Sequence, residues 1–152
     1  TLKAIKSIGM QTVWLWPNVD AGSDDISKGL RMFREHEDAD YVHFYRHFSV
    51  EDYACLIANC ACLVGNSSSG IREGSFLGVP AVDIGTRQAS RERADNCINV
   101  PYNHKKIENA VRHQIQNGSY PQNTIYGDGK AGERIANILA DVNISIQQKL
   151  MY

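Results

Sequence analysis

Short apolar runs alternate with helically spaced apolar positions along the whole chain. Residues 2–9 read as a helix closed by Gly9, and Thr12-Val13-Trp14-Leu15-Trp16 as a buried strand stopped by Pro17. Ser23 is the expected cap of the next helix. Asp24 and Asp25 stand in its first turn and Arg31 and Arg34 further on, as a helix dipole favours. Ile26, Leu30 and Phe33 give that helix one apolar stripe. A strand over 41–45 follows, then a helix capped by Ser49 with Tyr53, Leu56, Ile57 and Cys60 on one face.

The second half repeats the alternation. Strands are expected over 61–65, 79–84 and 97–100. A short helix opens at Ile71-Arg72-Glu73. One later helix carries Ile107, Ala110, Val111 and Ile115, another Ile135, Ile138, Leu139 and Val142, and a separate terminal helix spans 144–150. Strands alternating with helices predict an α/β fold, a doubly wound parallel sheet covered on both faces. Residues 1–143 are expected to form one domain and 144–152 a crossover helix or tail.

Charge and composition narrow the partners. Sixteen Lys and Arg stand against 17 Asp and Glu among 152 residues, a net charge of -1. No broad basic field is available to draw a nucleic acid or an anionic membrane surface. No apolar run approaches the roughly 18–20 residues of a membrane helix. The four cysteines form no CxxC pair, and buried reduced thiols in a cytoplasmic protein are the expectation, with no metal or redox site. The chain opens on Thr1 in what reads as mid-helix sequence, so a piece of a longer protein is expected.

Ligands of a doubly wound sheet bind beyond the carboxyl ends of its strands. That rule makes candidates of the loops 17–22, 46–49, 65–70 and 85–93. In the third, Asn66-Ser67-Ser68-Ser69-Gly70 joins a strand to a helix. Small residues admit a ligand to the backbone, and hydroxyls with N–H groups suit a phosphate, although a serine-rich helix cap has the same composition. Glu73, favourable for the dipole in any case, also suits a ribose diol. The fourth loop brings Arg87, Arg91 and Arg93, either a clamp for an anion or a solvated loop with local Arg91–Glu92 pairing. Phe48 and Tyr53 read either as core aromatics or as a stacking surface for a base. Gly65-Asn66-Ser67-Ser68-Ser69 also comes within one residue of a hydrolase nucleophile elbow, with Asp83 and His104 following in order. Ser69 replaces its final glycine, however, and no oxyanion segment accompanies it.

The run Val64-Gly65-Asn66-Ser67-Ser68-Ser69-Gly70-Ile71-Arg72-Glu73, followed by Gly78-Val79-Pro80, Gly85-Thr86-Arg87-Gln88 and Arg91-Glu92, resembles the UDP-N-acetylglucosamine 2-epimerases. The hydrolysing branch, which makes N-acetylmannosamine for sialic acid and capsule sugars, also matches at Pro17-Asn18-Val19-Asp20-Ala21-Gly22-Ser23 and Ile125-Tyr126-Gly127-Asp128-Gly129. The resemblance implies a Rossmann-like domain, the C-terminal half of a glycosyltransferase-B architecture, lacking its first strand. It implies that Ser67, Ser68, Ser69 and Gly70 hold the diphosphate and Glu73 the ribose. Phe48 and Tyr53 would frame the uracil, and Arg87 would stand beside the nucleotide sugar. The partner is UDP or a UDP-sugar, with no cofactor and no metal. Catalytic carboxylates of this family lie in its N-terminal domain, so no catalytic residue is assigned here and the chain alone is expected to be inactive. A non-catalytic nucleotide-sugar-binding module is the other reading, a serine hydrolase the remote one. With the central strand absent, residues 12–16 and 61–65 are expected either to pair directly or to leave an open edge. An open edge would be covered by a second copy or by an N-terminal domain.

Overall fold

The computed structural model describes residues 1–17, 23–37 and 39–143. Its helices are α1 (Leu2–Ile8), α2 (Ser23–His36), α3 (Val50–Asn59), α4 (Glu73–Leu77), α5 (His104–Asn117) and α6 (Ala131–Asp141). The strands are β1 (Thr12–Leu15), β2 (Val42–Tyr45), β3 (Leu63–Gly65), β4 (Ala81–Ile84) and β5 (Cys97–Val100). The fold is α/β, with parallel strands and flanking helices, as the alternating pattern requires. The expected cap at Ser23, the loop 17–22 beyond Pro17 and the helix 144–150 lie outside the described residues or side chains.

Local chemistry explains most boundaries. Gly9 closes α1 in the left-handed region at φ 67°, donating its N–H to the Ile5 carbonyl. The Ser49 hydroxyl accepts the Asp52 N–H at 3.1 Å and caps α3. Asn103 does the same for α5 through the Lys106 N–H. The strand expected over 79–84 is shorter, beginning at Ala81, because Gly78 turns left-handed and Pro80 has no N–H to give a ladder.

The ladder is divided. β1 pairs only with β2, and β3, β4 and β5 form a separate parallel sheet. Direct pairing of residues 12–16 with 61–65 does not occur among the described residues, and the edges of β1 and β3 are left open. An ordinary doubly wound order would put one strand between them. Helix α1 spans this division. Its Ala4 packs with Val82, Ile84, Val100, Ile107, Ala110 and Val111, while its Ile5 packs with Phe33 and Val42. Each of the larger of these side chains, the valines, isoleucines and Phe33, contributes about 1.5–3 kcal/mol on full burial. The apolar stripe of α6 behaves differently. Ile138 is 64% exposed, and Ile135, Leu139 and Val142 are exposed with it.

The thiol expectation is corrected in part. Cys55 is exposed and Cys60, Cys62 and Cys97 are half-buried, all of them free. Burial is still enough to push the Cys62 thiol up to about 12, which keeps it protonated and unreactive at neutral pH. No helix among the described residues is long and apolar enough to cross a membrane.

Candidate functional site

Because β3, β4 and β5 run parallel, the loops after β3 and β4 leave the same edge of the sheet. The first is the serine loop. Ser68–Gly70 forms a 3-10 turn, with the Ser67 hydroxyl accepting the Ser69 N–H at 3.3 Å. The Ser68 carbonyl accepts the N–H groups of Ile71 and Arg72 at 3.0 and 2.8 Å. The cradle anticipated at a helix start is therefore a separate turn ahead of the five-residue α4, and three of its amides are spent inside the loop. The Ser67 hydroxyl also donates to the Ser69 hydroxyl oxygen at 3.3 Å, so a phosphate entering here would meet the hydroxyls of Ser68 and Ser69 and the remaining N–H groups directly, and that of Ser67 by exchanging this bond. Glu73 is exposed at the first position of α4.

Close packing holds this turn. A Cβ on Gly70 would stand 3.2 Å from the Ala81 Cβ, tighter than ordinary van der Waals contact. Asn96, itself buried, donates its side-chain amide to the carbonyls of Gly70 at 3.1 Å and Val79 at 2.8 Å. The end of the serine turn is thus tied to the start of β4.

The loop after β4 is organised by Arg93. Its guanidinium donates to the Asp83 carboxylate at 2.8 Å, to the Gln88 carbonyl at 2.8 Å and to the Arg91 carbonyl at 3.2 Å. Asp83 is 4% exposed and also accepts the Asn99 amide at 2.9 Å. The carboxylate beside it holds the Arg93 guanidinium even further above its ordinary range. Of the three arginines expected in an anion clamp, Arg93 is therefore neutralised by Asp83. No Arg91–Glu92 ion pair forms among the described residues. Arg87 and Arg91 stand exposed on the loop.

The two loops meet at Gln88. Its side-chain amide donates to the Asn66 carbonyl at 2.9 Å, and Arg87 is its neighbour in the chain. Phe48 and Tyr53 come from elsewhere. Phe48 packs its ring on Tyr45 at 4.9 Å between centroids, and Tyr53 is half-buried on α3. Helix α3 packs against α4, but neither aromatic makes a hydrogen bond or ring contact with residues 66–73 among the described residues.

The hydrolase constellation is not assembled. Asp83 is committed to Arg93 and Asn99, and no hydrogen bond joins it, Ser67 or His104 among the described residues. No group of three potential metal ligands occurs among those residues either. In the quoted segment around Gly127, Asp128 accepts from the Arg134 guanidinium and the Lys130 N–H, and these bonds hold its carboxyl down at about 2.

Comparison with known proteins bears on the family and the fold. A family model described as UDP-N-acetylglucosamine 2-epimerase matches residues 1–140. The chain is 30% identical over 146 residues to the UDP-N,N'-diacetylbacillosamine 2-epimerase (hydrolyzing) of Legionella pneumophila, covering 96% of this chain and 38% of that protein. It is 28% identical over 155 residues to the UDP-N-acetylglucosamine 2-epimerase of Neisseria meningitidis serogroup B, covering 98% and 40%. The solved UDP-GlcNAc 2-epimerase of Methanocaldococcus jannaschii, in complex with UDP-GlcNAc and UDP, superposes with a TM-score of 0.67 over 91% of this chain and 38% of that one. At 18% identity that likeness concerns the fold alone. The chain spans 38–40% of the length of the curated relatives.

Proposed function

The chain belongs to the UDP-N-acetylglucosamine 2-epimerase family, matched over residues 1–140, and from that membership we propose that it is the UDP-binding half of a hydrolysing epimerase. The whole enzyme would convert a UDP-N-acetylhexosamine, UDP-N-acetylglucosamine in the first instance, to N-acetylmannosamine and UDP for sialic acid or capsule synthesis. The observation that carries this reading is the junction of the serine turn and the arginine-bearing loop at one edge of a parallel sheet. Ser67, Ser68, Ser69 and Gly70 receive the diphosphate, Glu73 the ribose, Phe48 and Tyr53 the uracil, and Arg87 the sugar side of the diphosphate.

In the reaction a base on the other domain removes the C2 proton. The C1–O bond then breaks with its electrons leaving on UDP, and water adds across the new C1–C2 double bond. Negative charge on the leaving diphosphate grows as that bond lengthens. Hydroxyl donors and a guanidinium aimed at it bind the transition state more strongly than the intact nucleotide sugar.

Calorimetric titration with UDP tests the assignment. Saturable binding is expected, weakened about tenfold by Ser68→Ala and by Glu73→Ala, roughly 1.4 kcal/mol for each lost contact. Equal binding in all three proteins, or none in any, removes the site. Pure chain is expected to release no N-acetylmannosamine from UDP-N-acetylglucosamine, and release would show that the chain carries its own acid and base.

The open edges of β1 and β3 and the exposed stripe of α6 support association with an N-terminal domain or with a second copy. Sedimentation is expected to show self-association of the isolated chain, and a strictly monomeric profile would eliminate the second copy. Four free thiols support a cytoplasmic location.

A further inference from the structure

Gln88, only 4% exposed, reaches from the arginine-bearing loop into the serine loop. Its Nε2 donates to the Asn66 carbonyl at 2.9 Å, while its Oε1 has no hydrogen-bond partner among the described residues. Its backbone carbonyl is separately held by Arg93, which is anchored on Asp83. The side-chain amide therefore extends from a fixed point.

What this bond fixes follows from peptide geometry. The Asn66 carbonyl and the Ser67 N–H belong to one planar trans peptide and point in opposite directions. Drawing the carbonyl inward onto buried Gln88 turns the Ser67 N–H to the exposed side. There the N–H bonds to no described residue, whereas the Ser69, Ile71 and Arg72 amides are occupied inside the turn. We propose that Gln88 is a positioning residue of the phosphate site, holding the Asn66–Ser67 peptide so that the Ser67 N–H is presented to the diphosphate. This rests on the UDP-binding reading above. A buried glutamine kept only for stability is a poor use of the position, because its unpartnered Oε1 costs part of what its Nε2 contributes.

Gln88→Leu isolates the bond. It removes the donor and the orphan oxygen together and leaves the backbone carbonyl for Arg93. Asn66 is an exposed residue, so the freed peptide reaches water by turning its carbonyl outward. UDP is expected to bind about tenfold more weakly with little change in melting temperature. Amide exchange in unliganded protein should accelerate at Ser69, Ile71 and Arg72 and stay slow in Val82 and Ile84. Gln88→Met, unbranched and adaptable, serves as a second variant should leucine fit badly.

A UDP affinity unchanged from wild type overturns the proposal, as does unchanged protection of the loop amides. Loss of the folding transition in both variants also overturns it, since Gln88 would then be a core residue. Failure of the wild-type chain to bind UDP sinks the functional reading instead, and loop exchange still decides whether Gln88 holds the turn.

Discussion

Replacing Gln114 with alanine is expected to destabilise the fold by about 3 kcal/mol, and to lower the melting temperature by roughly 10 °C in a chain of this size. Gln114 is 0% exposed on α5. Its amide nitrogen donates to the carbonyls of Ala81 at 2.8 Å and Asn96 at 2.7 Å, pinning the first residue of β4 and the residue before β5 to one helix. Its oxygen accepts the Tyr120 hydroxyl at 2.5 Å. Alanine removes two hydrogen bonds from buried acceptors, strands the tyrosine hydroxyl and opens a cavity. Asn96 is also the side chain that holds the Gly70 carbonyl, so the damage spreads to the serine turn. Tyr120→Phe removes only the hydroxyl and is expected to cost about 1 kcal/mol. Gln116→Ala, on the exposed face of the same helix, is expected to stay within about 0.5 kcal/mol of wild type. Urea unfolding of the three variants measures the series, and a Gln114→Ala value no larger than the Gln116→Ala value would refute it.

The apolar stripe read from the sequence, Ile107, Ala110, Val111 and Ile115, passes over the polar Gln114. That residue falls seven residues after Ile107, in the row of Ala110 and Val111, so helical spacing buries it. Only the tertiary structure shows which backbone carbonyls need its amide. Asp83 and Arg93 illustrate the same division. An acid inside an apolar strand was visible, but its partner lies ten residues away on a loop whose path no local rule supplies. The order of elements and the loops at the strand ends were legible because pattern and turn chemistry are local. The division between β1 and β3 was legible only through the family resemblance, which implies a missing first strand that the doubly wound order places at the centre, and its outcome among the described residues, open edges and not direct pairing, required the structure. The stripe of α6 reads as a core face by spacing, yet spacing reports a face without naming what covers it.

Gly78→Ala is expected to be as costly as the loss of Gln114, and Gly9→Ala shows why. Both glycines cap a helix at the same φ of 67°. An alanine at Gly9 meets nothing within 4 Å, so it bears only the left-handed backbone term, about 1–2 kcal/mol. At Gly78 the added Cβ overlaps the Tyr120 carbonyl oxygen, a backbone atom with no rotamer to escape through. The segment carrying that oxygen is strapped to α4 by the Tyr120 N–H on the Gly78 carbonyl at 2.8 Å and the Asn123 N–H on the Ser75 carbonyl at 2.9 Å. Relieving the overlap means lifting this strap, which loosens the two hydrogen bonds and the Tyr120–Gln114 contact with them. The expected difference between the two variants is about 2 kcal/mol, the worth of two or three such bonds. Because α4 begins at Glu73, Gly78→Ala should also weaken UDP binding while Gly9→Ala leaves it intact. Equal destabilisation by the two substitutions would mean that the strap yields freely and that backbone conformation alone selects glycine at position 78.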